Sequence, residues 1–504
     1  MSQAILVPSG FDSAPSLRET AAVRVTAAAG VPPDADALAV PVGTAGDVAA
    51  DLGLDRAALG AAGFAGKVGQ TLLVPGGAGP VRVAVGIGDA PDAAGLRDAA
   101  AAFALATPWS ARPALLATGA DGPDPATAAQ VLVEGILLAR YAFGPFKSAS
   151  ARTAITAITL VTAEDTTATW AAGAERGRTL AGATALTRDL ANCPPAHLTA
   201  TRMAELAVEI AGKHGLNVEV HDRDSLVRLG CGGLLAVNGG SAEPPRIIKL
   251  TYEPPGEPTG RLALVGKGIM YDSGGISLKP ADGIHAMMKN DMSGAASVLA
   301  AMSVLEELGC PAAVTGYLMC TDNMPSGTAL KMGDVLTVRG GTTVEVKNTD
   351  AEGRLVMSDA LVLAAEERPD AIVDIATLTG ACMRALGTSV AGVMGNDQAL
   401  VERLIAAGAR TDEPLWQLPL EQRYRADIDS PIADLNNLGD LNGGAIMAAL
   451  FLAEFVDGVA WAHVDIAGTA DVAKPGGWRP AGCSGFGTRL LAELALTFDV
   501  GTYR

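Results

Sequence analysis

Short apolar runs alternate with longer helix-like segments along most of this 504-residue chain, and no other feature limits its fold as strongly. Apolar runs of about four to eight residues are typical of strands, whereas a periodicity of about 3.6 residues is typical of helices. The predicted strands include ALAVPVG, TLLVPGG, VRVAVGIG, NVEVHD, RIIKLTYE, RLALVG and AAVTGYLMC. The predicted helices include DAAGLRDAAAAFALA, DPATAAQVLVEGILLARYAF, ATRMAELAVEIAGKHG and SGAASVLAAMSVLEELG. This alternation predicts an α/β fold.

The chain divides into two regions that differ in amino-acid composition. No cysteine precedes residue 193, and lysine is scarce in the first 150 residues. A length of 504 residues also exceeds what one ordinary core supports. The Ala-rich stretch 166–192 is predicted to form one long helix that ends before Pro194. We therefore predict a smaller N-terminal α/β domain at 1–165, a connecting helix at 166–195 and a larger C-terminal α/β domain at 196–504.

The charge, the cysteines and the N-terminus exclude several classes of protein. A formal net charge of -18 opposes binding to nucleic acid or to anionic membranes, because both require Lys and Arg against phosphate. The six cysteines are scattered without a C-x-x-C pair, so we expect reduced, mostly buried thiols. The N-terminal MSQAILVPSGFDSAPSL lacks a leader pattern, and no apolar stretch is long enough to cross a bilayer. We expect a cytoplasmic protein.

The heptapeptide NTDAEGR concentrates charge in a region rich in Ala, Gly and Val. If its backbone is extended, Asp350, Glu352 and Arg354 project to one side. The two carboxylates then repel each other unless a cation lies between them, either Arg354 itself or a metal ion. The alternative is a solvated surface strand.

Further polar residues follow the predicted strand RLALVG. We expect that strand to end where KGIMYDSGGISLKP begins, which puts Lys267, Asp272 and Lys279 at the start of a Gly-rich loop facing the usual ligand crevice. Asp291 lies just ahead of a helix predicted to begin near Ser293. The alternative functions are an N-cap for Asp291 and solvated surface positions for the two lysines.

Together these segments supply four carboxylates: Asp272, Asp291, Asp350 and Glu352. Four acids in one crevice require about four positive charges, and two divalent cations would supply them. Mg²⁺, Mn²⁺ and Zn²⁺ suit oxygen-rich sites. Paired ions of this kind activate water. The five histidines form no H-E-x-x-H motif, and the chain has neither G-x-S-x-G nor a P-loop. His463 in WAHVDIAG is predicted to be a core histidine or to support the site from behind.

NTDAEGRL, GKGIMYDSGGISLKP and MKNDMSGAA together resemble the leucine (cytosolic) aminopeptidase family of two-metal exopeptidases. The segments NMPSG, DIATLTGA, ADLNN, GGAIMAALFLAEF and WAHVDIAG resemble the same family in the same order, so the likeness covers roughly residues 180–500. It implies a catalytic C-terminal domain with a central mixed sheet flanked by helices. It also implies a macro-like N-terminal domain and a homohexamer.

The resemblance further implies a role for each site residue. Two divalent ions, Mn²⁺ or Zn²⁺, would be bound by Lys267, Asp272, Asp291, Asp350 and Glu352, with Glu352 bridging both. Lys279 would stabilise the tetrahedral oxyanion, and Arg354 would hold a bicarbonate-like anion that shuttles the proton. The substrate, a peptide with a free N-terminus and preferably Leu or another apolar residue first, would be bordered by Thr377, Leu378 and Gly380. Met288 would line the side-chain pocket or belong to the core.

Several other functions stay open on the sequence. Some relatives bind DNA as architectural or regulatory proteins, although the net charge of -18 argues against this here. A two-metal phosphoesterase could use the same acids, with Lys279 and Arg354 gripping phosphate. Fold analogy alone suggests an ADP-ribose-binding N-terminal domain. A specialised dipeptidase acting on cysteinylglycine is a further alternative.

Overall fold

The chain forms two compact units, each with its own apolar core. The computed structural model describes residues 10–75, 79–117, 122–148, 152–440 and 442–502. Among these, the N-terminal unit comprises 10–185 and 472–481, and the C-terminal unit comprises 186–471 and 482–502. Residues 1–9, where the sequence predicts no leader, and residues 76 and 77 of the predicted strand TLLVPGG lie outside the described residues.

Within the described residues, the N-terminal unit contains a six-stranded mixed sheet. Its strands are β1 (Arg24–Ala28), β2 (Ala37–Gly43), β3 (Thr71–Val74), β4 (Val81–Gly88), β5 (Pro113–Leu116) and β6 (Ala157–Val161). They lie in the order β1-β6-β5-β2-β4-β3, and all neighbours are parallel except β3 and β4. The predicted strands ALAVPVG and VRVAVGIG coincide with β2 and β4.

Helices cover both faces of this sheet. They are α1 (Ser16–Glu19), α2 (Arg56–Ala61), α3 (Ala93–Ala106) and α4 (Pro125–Arg140). On one face Phe103 of α3 and Ile136 of α4 are fully buried with strand residues, and on the other Leu59 of α2 packs with strand residues. The side chains of Asp92 and Asp124 accept backbone N–H bonds at the starts of α3 and α4, which fixes where both predicted helices begin.

A long helix, α5 (Thr167–Asn192), follows in the chain where the sequence predicts one. In the described part of the C-terminal unit, the central sheet has eight strands: β7 (Asn217–His221), β8 (Arg246–Tyr252), β9 (Arg261–Asp272), β10 (Ala313–Asn323), β13 (Ala371–Ala376), β14 (Ala391–Gly395), β15 (Leu415–Gln417) and β17 (Ala460–Asp465). They lie in the order β15-β14-β17-β13-β9-β10-β8-β7. Parallel and antiparallel neighbours both occur, so the sheet is mixed as predicted.

Short strands complete the β structure of the C-terminal region. A small sheet contains β11 (Val335–Thr337), β12 (Thr343–Glu345) and β16 (Leu435–Asn436), with β12 and β16 parallel. Two further strands have two residues each, β18 (Asp471–Val472) and β19 (Gly482–Cys483). The pairing of β16 with β12 brings the residues that follow both strands close together.

Helices flank the central sheet on both faces. They are α6 (Ala200–Ala211), α7 (Arg223–Leu229), α8 (Gly232–Val237), α9 (Gly283–Met287), α10 (Ser293–Met302), α11 (Glu352–Glu366), α12 (Gly380–Leu386), α13 (Gln398–Thr411), α14 (Gly444–Ala453) and α15 (Thr488–Leu496). On one face, Leu355 of α11 and Phe451 of α14 pack against sheet residues. On the other, α10 lies directly on β9, because a Cβ at Gly266 would meet Ala295 Cα at 2.6 Å.

The α/β class predicted for both regions is confirmed. The expected buried thiols are confirmed too, since all six cysteines lie among the described residues and each is buried and free. No helix in the described ranges is long and apolar enough to cross a membrane. The domain boundaries at 1–165, 166–195 and 196–504 stay a prediction.

Candidate active site

Four parallel strands of the C-terminal unit, β17, β13, β9 and β10, end side by side. Asp465 ends β17, Asp272 ends β9 and Asn323 ends β10, while Thr377 directly follows β13. In open α/β sheets, ligands bind outside the carboxyl ends of the strands. The sheet therefore brings these polar groups to the edge where a site is expected.

The position predicted for Lys267 is wrong in one respect. Strand β9 does not end after RLALVG but continues to Asp272, so Lys267 lies inside a strand and only Lys279 lies in the Gly-rich loop. The reason is tertiary: the ladder between β9 and β13 ends at Gly266, but the ladder between β9 and β10 continues past it, and Met319 is there the partner of Lys267. This second ladder overrides the local Gly signals that favour a loop.

The extended backbone considered for NTDAEGR is also wrong. Glu352 is the first residue of α11, and Asp350 lies in the turn before it. Glu352 and Arg354 are therefore two residues apart on a helix, where such positions do not share a face. The helix forms because the apolar residues that follow, including Leu355 and Leu361, pack against the sheet with helical spacing. The solvated strand is excluded by the burial of Glu352 and Arg354.

The predicted carboxylates and lysines form one cluster of six residues: Lys267, Asp272, Lys279, Asp291, Asp350 and Glu352. Lys267 contacts two of its carboxylates. Its Nζ is 2.7 Å from Asp291 Oδ2 and 2.8 Å from Glu352 Oε1, and it donates to the backbone oxygen of Thr377 at 3.0 Å. Burial lowers the pKa of the Lys267 amine, but the neighbouring carboxylates outweigh burial and hold that pKa above its usual range. Lys267 therefore binds two of the predicted ligands together.

Asp291 is not an N-cap. The residue before α10 is Met292, and no side chain caps that helix. Asp291 Oδ1 instead accepts from the Thr377 hydroxyl at 2.7 Å and from Lys267 Nζ at 2.9 Å. Burial raises the pKa of Asp291 well above its usual value, although Lys267 opposes the shift. The N-cap alternative is thereby excluded.

Lys279 contacts the other two carboxylates of the cluster. Its Nζ lies 2.8 Å from Asp272 Oδ2 and 2.6 Å from Asp350 Oδ1. Burial and the Glu352 carboxylate raise the pKa of Asp272 to about 6, although both lysines oppose the shift. Neither lysine is a solvated surface residue, so that alternative is excluded as well.

The residues of this cluster fit divalent cations. Asp272, Asp350 and Glu352 each offer a ligand oxygen, and these atoms lie within 4.8 Å of one another. Four carboxylates against two ammonium groups leave a net charge of about −2 in a largely buried space. Glu352 Oε2 is buried without a hydrogen-bond partner in the described part of the chain. A buried carboxylate oxygen without a partner is costly, and a bound cation would satisfy it.

Arg354 is buried on the first turn of α11. Its Nε and Nη1 atoms have no hydrogen-bond partner among the described residues. Burial lowers the pKa of this guanidinium to about 10, while Glu352 and Asp465 oppose the shift. Guanidinium N–H groups bind oxyanions well, so the geometry allows an anionic ligand here.

His463 lies in the core, bonded to Asp374 on the neighbouring strand. Its Nδ1 is 2.5 Å from Asp374 Oδ1, and Trp461 Nε1 donates to Asp374 Oδ2 at 2.7 Å. Burial lowers the pKa of His463, but the Asp374 carboxylate outweighs burial and raises it. The expected core position of His463 is confirmed, and its partner is a carboxylate that the sequence analysis gave no role.

The predicted substrate residues lie around the same edge. Thr377 and Leu378 lie in the connection from β13 to α12, where the Leu378 N–H donates to Asp465 Oδ1 at 3.3 Å, and Gly380 begins α12. Met288 is half-buried on a turn three residues before Asp291. Thr377 contacts Lys267 and Asp291 directly, which the sequence analysis did not foresee.

Asn323 and Asn437 are two residues of the site that the sequence analysis missed. Both are buried, and both hydrogen-bond to segments that carry predicted ligands. The only signal in the sequence was their position in NMPSG and ADLNN, two segments noted for resemblance without a role. An asparagine within a motif does not indicate which backbone groups it will bind.

The fold and site together define an α/β enzyme with a carboxylate-rich site for divalent cations. The chain belongs to the cytosol aminopeptidase family, whose catalytic-domain profile matches residues 185–492. It is 44% identical over 463 residues to the "Probable cytosol aminopeptidase" of Streptomyces avermitilis, covering 88% of this chain and 89% of the relative. It is 47% identical over 381 residues to the protein of the same name from Chlorobaculum tepidum, covering 73% and 75%.

A solved structure of similar fold is "Bottromycin maturation enzyme BotP in complex with Mn". The two chains share 39% identity and superpose with a TM-score of 0.84, over 92% of this chain and 99% of the other. Family membership makes this chain an aminopeptidase, a hydrolase acting on peptides, and metal dependence is typical of the family. The predicted family and activity are confirmed.

Proposed function

We propose that this aminopeptidase releases N-terminal residues, preferably Leu and other apolar residues, from peptides at a site that holds two divalent ions. The ions would be bound by Lys267, Asp272, Asp291, Asp350 and Glu352. One observation carries this proposal: ligand oxygens of three carboxylates lie within 4.8 Å of one another, and Glu352 Oε2 is buried without a partner in the described ranges.

When bound, divalent ions supply Lewis-acid polarisation of the peptide carbonyl and acidify water to form a nucleophile at neutral pH. Lys267 could coordinate only as a neutral amine, so its proton must leave as the dications raise the local positive charge. Mn²⁺ and Zn²⁺ are the ions we propose. The similar solved enzyme BotP is in complex with Mn, which supports manganese first.

Lys279 and Arg354 would act on the charges that develop during hydrolysis. The Lys279 ammonium pairs with Asp272 and Asp350, and it would face the substrate if bound cations took over the charges of these two carboxylates. It would then stabilise negative charge on the carbonyl oxygen. Arg354, with unpartnered Nε and Nη1 among the described residues, would hold a bicarbonate-like anion that accepts and returns the proton.

The substrate's free N-terminal amine would be recognised at the same edge, which explains exopeptidase action. The backbone at Thr377, Leu378 and Gly380 borders this space in our proposal, and Met288 lines the pocket for the first side chain. The position of Thr377 supports this assignment, because its carbonyl and hydroxyl both contact proposed ligands. Met288 lies three residues before Asp291 on the adjoining turn.

We also propose a cytoplasmic homohexamer, by the family resemblance. Size-exclusion chromatography with light scattering would test the assembly, and a monomer at micromolar concentration would refute it. The matched family and the relatives reported above are named as aminopeptidases, which favours peptide hydrolysis over DNA binding, phosphoester hydrolysis and ADP-ribose binding. A cysteinylglycine dipeptidase would use the same site and differs only in substrate range.

The test is hydrolysis of leucine p-nitroanilide by the purified chain, with Mn²⁺, with Zn²⁺ and after chelation. N-acetyl-leucine p-nitroanilide is the matched control, because it keeps the side chain and loses the free amine. We expect metal-dependent cleavage of the free-amine substrate alone. Equal cleavage of both substrates would contradict the exopeptidase assignment, and full activity after exhaustive chelation would contradict the role of metals.

A further inference from the structure

Asn437 is a fully buried amide that binds the loop carrying Asp350. It follows β16, whose parallel pairing with β12 is extended by a bond from the Asn437 N–H to Glu345 O at 3.1 Å. Its Nδ2 donates to the backbone oxygens of Asn348 at 2.7 Å and Ala351 at 3.3 Å. Its Oδ1 accepts from the N–H of Lys347 at 2.7 Å. One side chain thus spans the loop at 347–351 from both ends.

A second buried amide connects this loop to another predicted ligand. Asn323 Nδ2 donates to Asp272 Oδ1 at 2.8 Å and to the backbone oxygen of Thr349 at 3.0 Å. The Thr349 hydroxyl in turn donates to Gly274 O at 2.7 Å, in the loop that leads to Lys279. The segments bearing Asp272, Lys279 and Asp350 are therefore joined through neutral side chains.

We propose that Asn437 and Asn323 form an amide clamp that fixes the spacing of the carboxylates before any cation binds. Asn437 is the principal positioning residue, because it holds the loop at 347–351, which carries Asp350 and leads into Glu352. Asn323 ties Asp272 to the same loop. This inference rests on the proposed metal-binding role of these carboxylates. The clamp raises metal affinity by removing the need to order the loop at the moment of binding.

The chemistry of the clamp explains why amides serve here. The carboxylates of Asp272, Asp350 and Glu352 lie close enough to repel one another, which favours separation of their loops when no cation is bound. An amide offers both donors and an acceptor without adding charge, so it opposes this separation and does not compete for the cation. A carboxylate at position 437 would instead turn acceptors toward the oxygens of Asn348 and Ala351.

Asn436, the residue before Asn437 and the last of β16, provides a matched control. It is also buried, and its amide also binds backbone, but its partners are Asp427, Asp429, Leu438 and Gly439. Removing its side chain breaks bonds of the same kind, but these bonds do not reach the loop at 347–351. Asn437→Ala and Asn436→Ala therefore differ in which loop loses its support.

The test measures Mn²⁺ binding to the chelator-treated full chain by isothermal titration, alongside thermal unfolding without metal. We expect Asn437→Ala to bind Mn²⁺ about 10–100-fold more weakly than wild type, the usual effect of removing support behind metal ligands. Asn437→Asp should be weaker still. Asn436→Ala should bind like wild type even if it melts earlier. Excess Mn²⁺ should restore much of the lost turnover in Asn437→Ala.

Wild-type Mn²⁺ affinity in folded Asn437→Ala, or an equal loss in Asn436→Ala, would overturn the clamp. If circular dichroism shows that Asn437→Ala is unfolded, the same Mn²⁺ titration is made on Asn323→Ala. Weaker Mn²⁺ binding by Asn323→Ala supports the clamp, and unchanged binding refutes it. Failure of the proposed function looks different, because wild type itself would then bind no Mn²⁺ and cleave no leucine p-nitroanilide.

Discussion

Replacing Gly353 with alanine should favour the helical backbone of α11 but disturb the packing of Lys267 in the site. Gly353 is the second residue of α11, where alanine would favour the helix by about 1 kcal/mol. However, a Cβ at this position would lie 2.7 Å from Lys267 Cε, 2.8 Å from Lys267 Nζ and 3.0 Å from Leu378 Cδ1. Lys267 is fully enclosed and held by Asp291, so it cannot move without breaking a bond.

These contacts determine how Gly353→Ala changes the free energy of unfolding. Overpacking costs about 1–3 kcal/mol, and a lost charge-assisted bond costs about 1.5–3 kcal/mol. After the gain in helix propensity of about 1 kcal/mol, we expect Gly353→Ala to lower the unfolding free energy of the metal-free protein by about 1.5–5 kcal/mol. Urea unfolding measures this change. Because Lys267 is a proposed ligand, Mn²⁺ affinity and turnover should fall too, by at least about tenfold.

Gly60→Ala is the control for propensity alone. Gly60 lies in α2, and a Cβ there would have no atom within 4 Å. We expect this variant to be as stable as wild type or up to about 1 kcal/mol more stable, with unchanged turnover. Wild-type stability and full activity in Gly353→Ala would refute the close packing of Lys267 against α11.

Three further outcomes follow from the site. Asp350→Asn should lose bound metal and activity together, measured by elemental analysis and leucine p-nitroanilide hydrolysis; a full metal complement would remove Asp350 from the ligand set. Lys279→Ala should keep its metal and lose about 10²–10³ in kcat, the usual effect of losing an oxyanion donor, whereas loss of metal would make Lys279 a structural residue. The pKa of His463 is raised in the folded state, so stabilisation from its bond with Asp374 is complete below the unfolded pKa of about 6.5 and lost as pH rises through the folded value. Thermal unfolding of the metal-free protein from pH 6 to 9 should therefore show a larger decline for wild type than for His463→Gln, and equal slopes would contradict the linkage.

The elements best predicted from sequence are those whose local pattern and tertiary environment agree. Strand β2 and helices α3 and α4 have clear periodicity, and Asp92 and Asp124 mark where the two helices begin. The carboxylates and lysines of the site were also identified, because a charged residue in an apolar region is conspicuous. Local pattern and final structure agree in these places, so little besides the sequence was needed.

The failures have tertiary causes. Lys267 lies inside β9 because the ladder with β10 extends the strand through a segment whose glycines locally favour a turn. NTDAEGR has a period of two in its charges, yet the apolar residues after it set a helical period from Glu352 onward. Asn437 could not be assigned a function because its partners lie almost 90 positions away and are backbone atoms, which no sequence pattern identifies.

The two lysines explain how so acidic a site can fold without cations. Lys267 pairs with Asp291 and Glu352, and Lys279 pairs with Asp272 and Asp350, so each ammonium holds two carboxylates near its own charge. Full neutralisation would remove the electrostatic attraction for dications, whereas four unpaired acids would repel one another strongly. Two ammonium groups neutralise half of the charge on the four carboxylates, and the amide clamp holds the carboxylate spacing. The site therefore stays assembled and keeps a net charge of about −2. That residual negative charge would attract the proposed divalent ions, and the spacing of the carboxylates would determine where they bind.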